Sequence, residues 1–318
     1  SENFMVITFA ESRRNKGYMA DELQEASGLK EVPSSEILSK IKRGEPTIEY
    51  DHVRITGDFD IGKLDMPLNG GKYHIVPSIK IISSVFNGTV NFSESHFQKY
   101  IDFTKTKFDG SAKFIGSIFS SGVSFLSSKF ESSTWFERCD FQGNVMFHNA
   151  EFRKLAIFNE SIFNNDSIFI ESRFMYNVAF RESKFLKLAD FSGSKFDKKA
   201  IFENSKFMGD AKFIVTEFGR FTNFRFCLFE KNLDLGGSFF STIFLKEAIF
   251  DKGSIILMKN SEFSRLEVPW KLIRDNLEYD GSAYLALVKN YNNLGRFDDA
   301  DDCYYQYRIK KSKKLNVA

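Results

Sequence analysis

Ala156-Ile-Phe158-Asn-Glu-Ser161-Ile-Phe163-Asn-Asn-Asp-Ser167-Ile-Phe169-Ile-Glu-Ser172-Arg-Phe174 decides the fold. Phenylalanine returns after five residues, then six, then five, and a small residue stands two places before each ring. Followed outward, the alternation runs without a miss through Phe86, Phe92, Phe97, Phe103, Phe108, Phe114, Phe119, Phe125, Phe130, Phe136, Phe141, Phe147, Phe152, Phe158, Phe163, Phe169, Phe174, Phe180, Phe185, Phe191, Phe196, Phe202, Phe207, Phe213, Phe218, Phe224 and Phe229. These are 27 phenylalanines over 143 residues, thirteen periods of eleven. A fixed period of this kind is the signature of a repeat architecture.

A helix does not accept the spacing. At roughly 100° per residue, steps of five and six scatter the rings around the helix instead of along one stripe. An eleven-residue period also suits a right-handed coiled coil. The intervening Ser, Gly, Asn and Thr are poor material for one. One long strand fails too, because a step of five sends successive rings to opposite faces. Short strands joined by bends remain, each turning its ring inward. The residue two before each ring then faces the same way. One set of these runs Ser84, Ser95, Thr106, Ser117, Ser128, Cys139 and Ala150, the other Val90, Ile101, Ala112, Val123, Thr134, Val145 and Ala156. Large beside small lets successive layers fill a narrow interior. Gly88, Gly110, Gly143, Asn165, Lys187 and Gly209 recur two residues after alternate rings and suggest corners with positive φ.

Blocks such as Ser194-Lys-Phe196-Asp-Lys and Ser205-Lys-Phe207-Met-Gly resemble pentapeptide-repeat proteins, in particular a phenylalanine-rich subgroup with one extra residue in alternate blocks. The likeness covers roughly residues 48–263. It implies an all-β solenoid, a right-handed quadrilateral β-helix, with two eleven-residue units per lap. Aliphatic residues extend the register upstream (Ile48, Val53, Phe59, Leu64, Leu68, Ile75, Ile79, Ile81), and Leu235, Phe240, Phe250 and Phe263 extend it downstream with slips. Counting from Ile48 gives about nine coils and a rod about 43 Å long at ~4.8 Å per coil.

Open solenoid ends invite stacking, so caps are expected. Pro33–Gly44 reads as a helix capped by Ser34 or Ser35, with Ile37, Leu38 and Ile41 on one face. A second helix is expected around Tyr18–Ala26. Past Pro269, Trp270–Leu277 suggests a helix. Tyr284, Leu287, Tyr291, Gly295, Phe297, Ala300 and Tyr304 are spaced in a way similar to a single tetratricopeptide repeat, here expected to act as a cap. The implied division is 1–47 as N-terminal segment with capping helix, 48–264 as β-helix and 265–318 as helical cap.

The chain carries a net charge of +2 and 3 cysteines. It shows neither a run of 18 apolar residues nor a signal peptide, which points to a cytoplasmic protein. Cys139 and Cys227 share a slot four laps apart, too far for a disulfide. His52, His74, His96 and His148 lack metal-ligand spacing, and no phosphate-binding loop is present. No catalytic residue, cofactor or metal site is expected.

The surface offers more. Residues 22 apart stack, which puts Trp135, Ile157, Ala179 and Ile201 in one outward column, opposite Met146, Ile168, Asp190 and Lys212. Leu186 and Met208 form a further pair. Three fates suit the apolar column: cover by the N-terminal segment, contact with a protein partner or second copy, or plain exposure. Basic and acidic residues alternate along the neighbouring column of Glu151, Arg173, Lys195 and Glu217, so nucleic acid is not an expected partner. The expected role is a non-catalytic scaffold or interaction module. The family resemblance adds two specific expectations. One is the soluble part of, or a relative of, a prokaryotic or archaeal membrane protein with channel-like helices, which touches a membrane only through a further C-terminal region. The basic end Arg308–Leu315 suits that position. The alternative is a DNA mimic that binds a type II topoisomerase, which needs a strongly negative surface.

Overall fold

The computed structural model describes residues 28–315, so the helix expected around Tyr18–Ala26 lies outside them. Through the repeat, two-residue strands lie one above another in parallel. Phe141, Phe163 and Phe185 share one register column, and Phe130, Phe152 and Phe174 another. The strands build two ten-stranded sheets and one of eighteen strands, which supplies two adjoining faces of the coil.

The rings fill the interior as four stacks. Phe163 and Phe185 lie 4.6 Å apart and within 2° of parallel, and Phe180 and Phe202 5.1 Å apart within 1°. Neighbouring stacks meet edge to face, as Phe158 meets Phe169 at 5.6 Å and 89°. Offset stacking and edge-to-face contact both place ring edges against electron-rich faces. The 27 rings of the regular series are buried, each worth about 1.5–3 kcal/mol in removed apolar surface.

The five- and six-residue steps turn differently. Each five-residue step holds a β-turn, most of them closed by a backbone hydrogen bond such as Ser117 N–H to Phe114 O at 3.1 Å. Its third residue takes positive φ: Glu94, Lys105, Arg138 and Glu160 range from 53° to 58°. The six-residue steps bend without such a bond. Gly88, Gly110, Gly143 and Gly209 occupy those wider steps, and neither they nor Asn165 and Lys187 have positive φ. The expected left-handed corner is therefore displaced to the other steps. Glycine here serves close approach instead: a Cβ on Gly209 would stand 2.2 Å from Lys187 O.

The two small-residue columns differ in chemistry. The one that closes the β-turns is a hydroxyl ladder. Ser117 Oγ donates to Phe92 O at 2.7 Å, Ser183 to Phe158 O at 2.7 Å, and Thr216 to Phe191 O at 2.9 Å. Several hydroxyls of this column also accept from the lap before, as Ser117 Oγ does from Ser95 N–H at 3.3 Å and Ser205 Oγ from Ser183 N–H at 3.1 Å. Cys139 and Cys227 fill ladder slots and donate to Phe114 O and Phe202 O, each at 2.9 Å. The other column has no such duty and is mostly Val, Ile and Ala.

The coil has about 11 turns instead of nine, because strand Lys30–Pro33 already pairs with Val53–Thr56 and Glu262–Glu267 continues the ladder at the far end. The upstream register also shifts. Tyr50 and Ile81 pair in register with each other, and Ile55 pairs with Phe86, so Ile48, Val53 and Phe59 fill small-residue slots. That lap spans 31 residues, as from Asp58 to Thr89. The segment that takes up the nine extra residues includes a short 3-10 turn at Ile61–Lys63 and an antiparallel hairpin pairing Leu68–Asn69 with Lys72–Tyr73. Leu68, expected in register, is exposed in that hairpin.

Helix α1 (Ser34–Lys42) closes the first coil with Ile37, Leu38 and Ile41. Its N-cap is Pro33, without a side-chain cap; Ser34 is buried and donates to Asp58 O at 2.8 Å instead. At the other end come α2 (Trp270–Ile273), α3 (Gly281–Asn293) and α4 (Phe297–Leu315). Helix α2 is shorter than the expected Trp270–Leu277 segment. The Asn290 side chain plays the part of a missing strand: it accepts from Leu266 N–H and donates to Leu266 O, both at 2.9 Å.

Candidate interaction surface

The register puts Trp135, Ile157, Ala179 and Ile201 in a single outward column. It stands on one of the two faces of the large sheet. Trp135, Ile157 and Ala179 are half-buried and reachable, whereas Ile201 is 8% exposed and belongs to the packed surface. Leu186 and Met208 do not join the column. They follow strands Lys184–Phe185 and Lys206–Phe207 on the next face, beyond a turn. Met146, Ile168, Asp190 and Lys212 align on the remaining face, where Asp190 is buried.

The six-residue corner beside Trp135 adds apolar neighbours absent from the sequence reading. Leu155, Met175 and Tyr176 lie between the strands ending at Phe152 and Phe174 and those starting at Ala156 and Val178. Tyr176 is 49% exposed. The signal was present in the sequence, because the corner positions also repeat every 22 residues.

Charge is unevenly spent on this side. Asp109 and Glu131 pair with Lys107, Glu131 and Glu151 with Arg153, Asp197 with Arg173, and Glu217 with Lys195, at 2.7–3.7 Å. Lys154, Lys198 and Arg220 share the corner column of Tyr176, are exposed, and form no ion pair among the described residues. Lys199 lies 5.0 Å over the Phe221 ring and Lys113 5.5 Å over the Trp135 ring.

Reactive groups are withdrawn from solvent. Burial pushes the Cys139 and Cys227 thiols far up, and that of Cys303 up to about 12, so all three are protonated at neutral pH. A thiol in that state is a poor nucleophile. Among the described residues no group of three or more His, Cys, Asp or Glu converges as a metal-ligand set. His74 and His96 do meet, with rings 5.0 Å apart, because they stand 22 residues apart in one column. Burial first, and the His74 charge second, hold the His96 imidazole below its ordinary pKa.

The family model for pentapeptide repeats (9 copies) matches residues 103–151, 114–162 and 147–195. With the four ring stacks in register across those spans, the family is settled. This is a pentapeptide-repeat protein. No curated protein matches the chain, and no solved structure does. The matched spans of this pentapeptide-repeat protein contain Trp135, Ile157 and Ala179; the C-terminal hairpin lies outside them.

Proposed function

We propose that this chain is a non-catalytic scaffold whose β-helix offers the apolar patch around Ile157 to another protein. One observation carries the reading. Trp135, Leu155, Ile157, Met175, Tyr176 and Ala179 face outward together on three consecutive laps, on a frame whose interior is packed with stacked rings. Apolar surface contiguous over several laps marks an interaction site. A solenoid holds such a surface rigid, which lowers the ordering cost of binding. The reading is tested by chemical cross-linking in the native cell extract with wild type and with Ile157→Lys/Tyr176→Glu. The expected outcome is a cross-linked adduct lost in the variant, with an unchanged melting curve. An adduct that survives the double substitution ends the proposal. An adduct of two identical chains assigns the patch to a homodimer.

A membrane-linked version rests on helix α4, which exposes Tyr304 and Tyr305 and ends among Arg308, Lys310, Lys311 and Lys313. That composition suits the cytoplasmic surface of an anionic membrane, as does the resemblance to the soluble part of channel-like membrane proteins. No helix of the described residues is long and apolar enough to cross a membrane. Failure to co-sediment with phosphatidylserine vesicles removes this version. The topoisomerase alternative has less support, because the net charge of +2 is opposite to a DNA mimic's. Protection of gyrase in a supercoiling assay would restore it.

A further inference from the structure

We propose that the partner element received by this patch is an amphipathic helix with an acidic flank, laid beside the Lys154–Lys198–Arg220 corner. The inference rests on the scaffold reading above and adds the chemistry of the occupant.

Three features select it. The first is sign. Each acidic side chain of the adjoining outward columns from Asp109 to Glu217 is held by a lysine or arginine of the same face. Lys154, Lys198 and Arg220 are left as exposed cations in one column, with Tyr176 in the slot between the first two. A partner carboxylate meets them without having to displace an internal ion pair. The second is shape. Ala179 stands between Ile157 and Ile201 in the outward column, so the patch has a recess one lap high between two bulkier neighbours. A leucine-sized knob fills such a recess. The apolar residues span three laps, about 10 Å between the outer two, plus the reach of their side chains. That matches the apolar stripe of two to three helical turns at 5.4 Å each. The third is composition. Leu155, Ile157, Met175 and Ala179 present aliphatic and thioether surface, which suits leucine and isoleucine side chains. Bases need aromatic platforms, and only Trp135 and Tyr176 supply them here.

Trp135 is one of 2 tryptophans, and the other, Trp270, is 1% exposed, so the patch carries its own fluorescent reporter. The full chain is titrated with three probes: a leucine-striped helical 18-residue peptide with glutamates along one flank, the same peptide with lysines there, and single-stranded oligothymidylate. The acidic peptide is expected to shift Trp135 emission at micromolar concentration and to bind at least tenfold more tightly than the basic one. Lys154→Glu/Lys198→Glu is expected to reverse that order, while its melting temperature stays unchanged because both side chains are exposed. Equal affinity for the two peptides overturns the proposal, as does binding of the acidic peptide that charge reversal leaves intact. Tighter binding of the oligonucleotide also overturns it. Should the peptides fail to discriminate while Ile157→Lys/Tyr176→Glu still abolishes the native adduct, the scaffold reading stands and only the acidic-helix occupant falls.

Discussion

At the residue scale, the ladder of small side chains does more than leave room for rings. Hydroxyls of the turn-closing column can serve two laps at once. Ser205 donates to Phe180 O and accepts from Ser183 N–H. Removing it takes a second partner from two buried backbone groups and leaves them only their mutual turn bond at 3.2 Å, so Ser205→Ala is expected to cost about 1 kcal/mol in urea unfolding. Ser205→Cys is expected to cost less, because the thiol of Cys227 makes the equivalent bond one lap on. Equal losses for both variants would show that the slot measures volume alone. The distinction was legible in principle: Ser and Thr dominate one column, and Val, Ile and Ala the other. It stays hidden as long as both are read simply as small, because the carbonyl they serve is fixed only once the turns are assigned to the five-residue steps. His96 offers a pH test of the same kind. Its pKa is lowered in the folded state, so the unfolded chain binds more protons in the window between the folded and unfolded values. Stability therefore rises with pH through that window and falls on acidification. His96→Gln is expected to flatten that part of the melting-temperature profile between about pH 5 and 7. An unaltered slope would assign the acid sensitivity to other groups.

At the scale of elements, the regular laps were readable from ring spacing alone, and the irregular ones were not. Leu68 has the right character for an inward slot, yet it sits exposed in a hairpin. Nothing in a string of aliphatic residues distinguishes a lap of 22 from a lap of 31 until the strands are paired. The same limit applies to the patch. The column Trp135–Ile157–Ala179 follows from the period, but the burial of Ile201 does not. One lap above Ile201, the strand Glu217–Asn223 runs straight through the corner with a register shift between Phe218 and Phe221. The end caps depend on single side chains that no pattern announces. Asn290 gives the last strand the two hydrogen bonds that a further lap would have made. Asn290→Leu keeps the bulk and loses both bonds, with an expected loss of about 2–4 kcal/mol, concentrated at the C-terminal end. Hydrogen exchange at the Leu266 amide is the direct readout. It is expected to accelerate while amides of the central laps, such as Phe180, stay protected. Uniform acceleration along the rod would mean that the cap and the coil unfold as one unit.

At the scale of the whole molecule, stability is a sum over laps and the interfaces between them. Each lap contacts its two neighbours through parallel strands and four stacked rings, so one lap is exchangeable for the next. Deleting residues 101–122 removes one complete lap and joins Tyr100 to Val123, whose slot matches that of the deleted Ile101. The rod is expected to shorten by about 4.8 Å and to keep a cooperative melt and the apolar patch. Deleting residues 104–108 removes only five residues, but it takes out a β-turn and sets two six-residue steps in succession. The strands on one side of the cut then lie out of phase with those on the other, and the rings of at least one stack lose their partners. That variant is expected to be aggregated or to melt far below the 22-residue deletion, although it loses far fewer contacts. Circular dichroism melts and small-angle scattering on the two variants decide between phase and mass as the determinant of the fold. If the shorter deletion proves the milder one, the coil tolerates slips within a lap, and the strict alternation of five and six has a cause other than the stacking of rings.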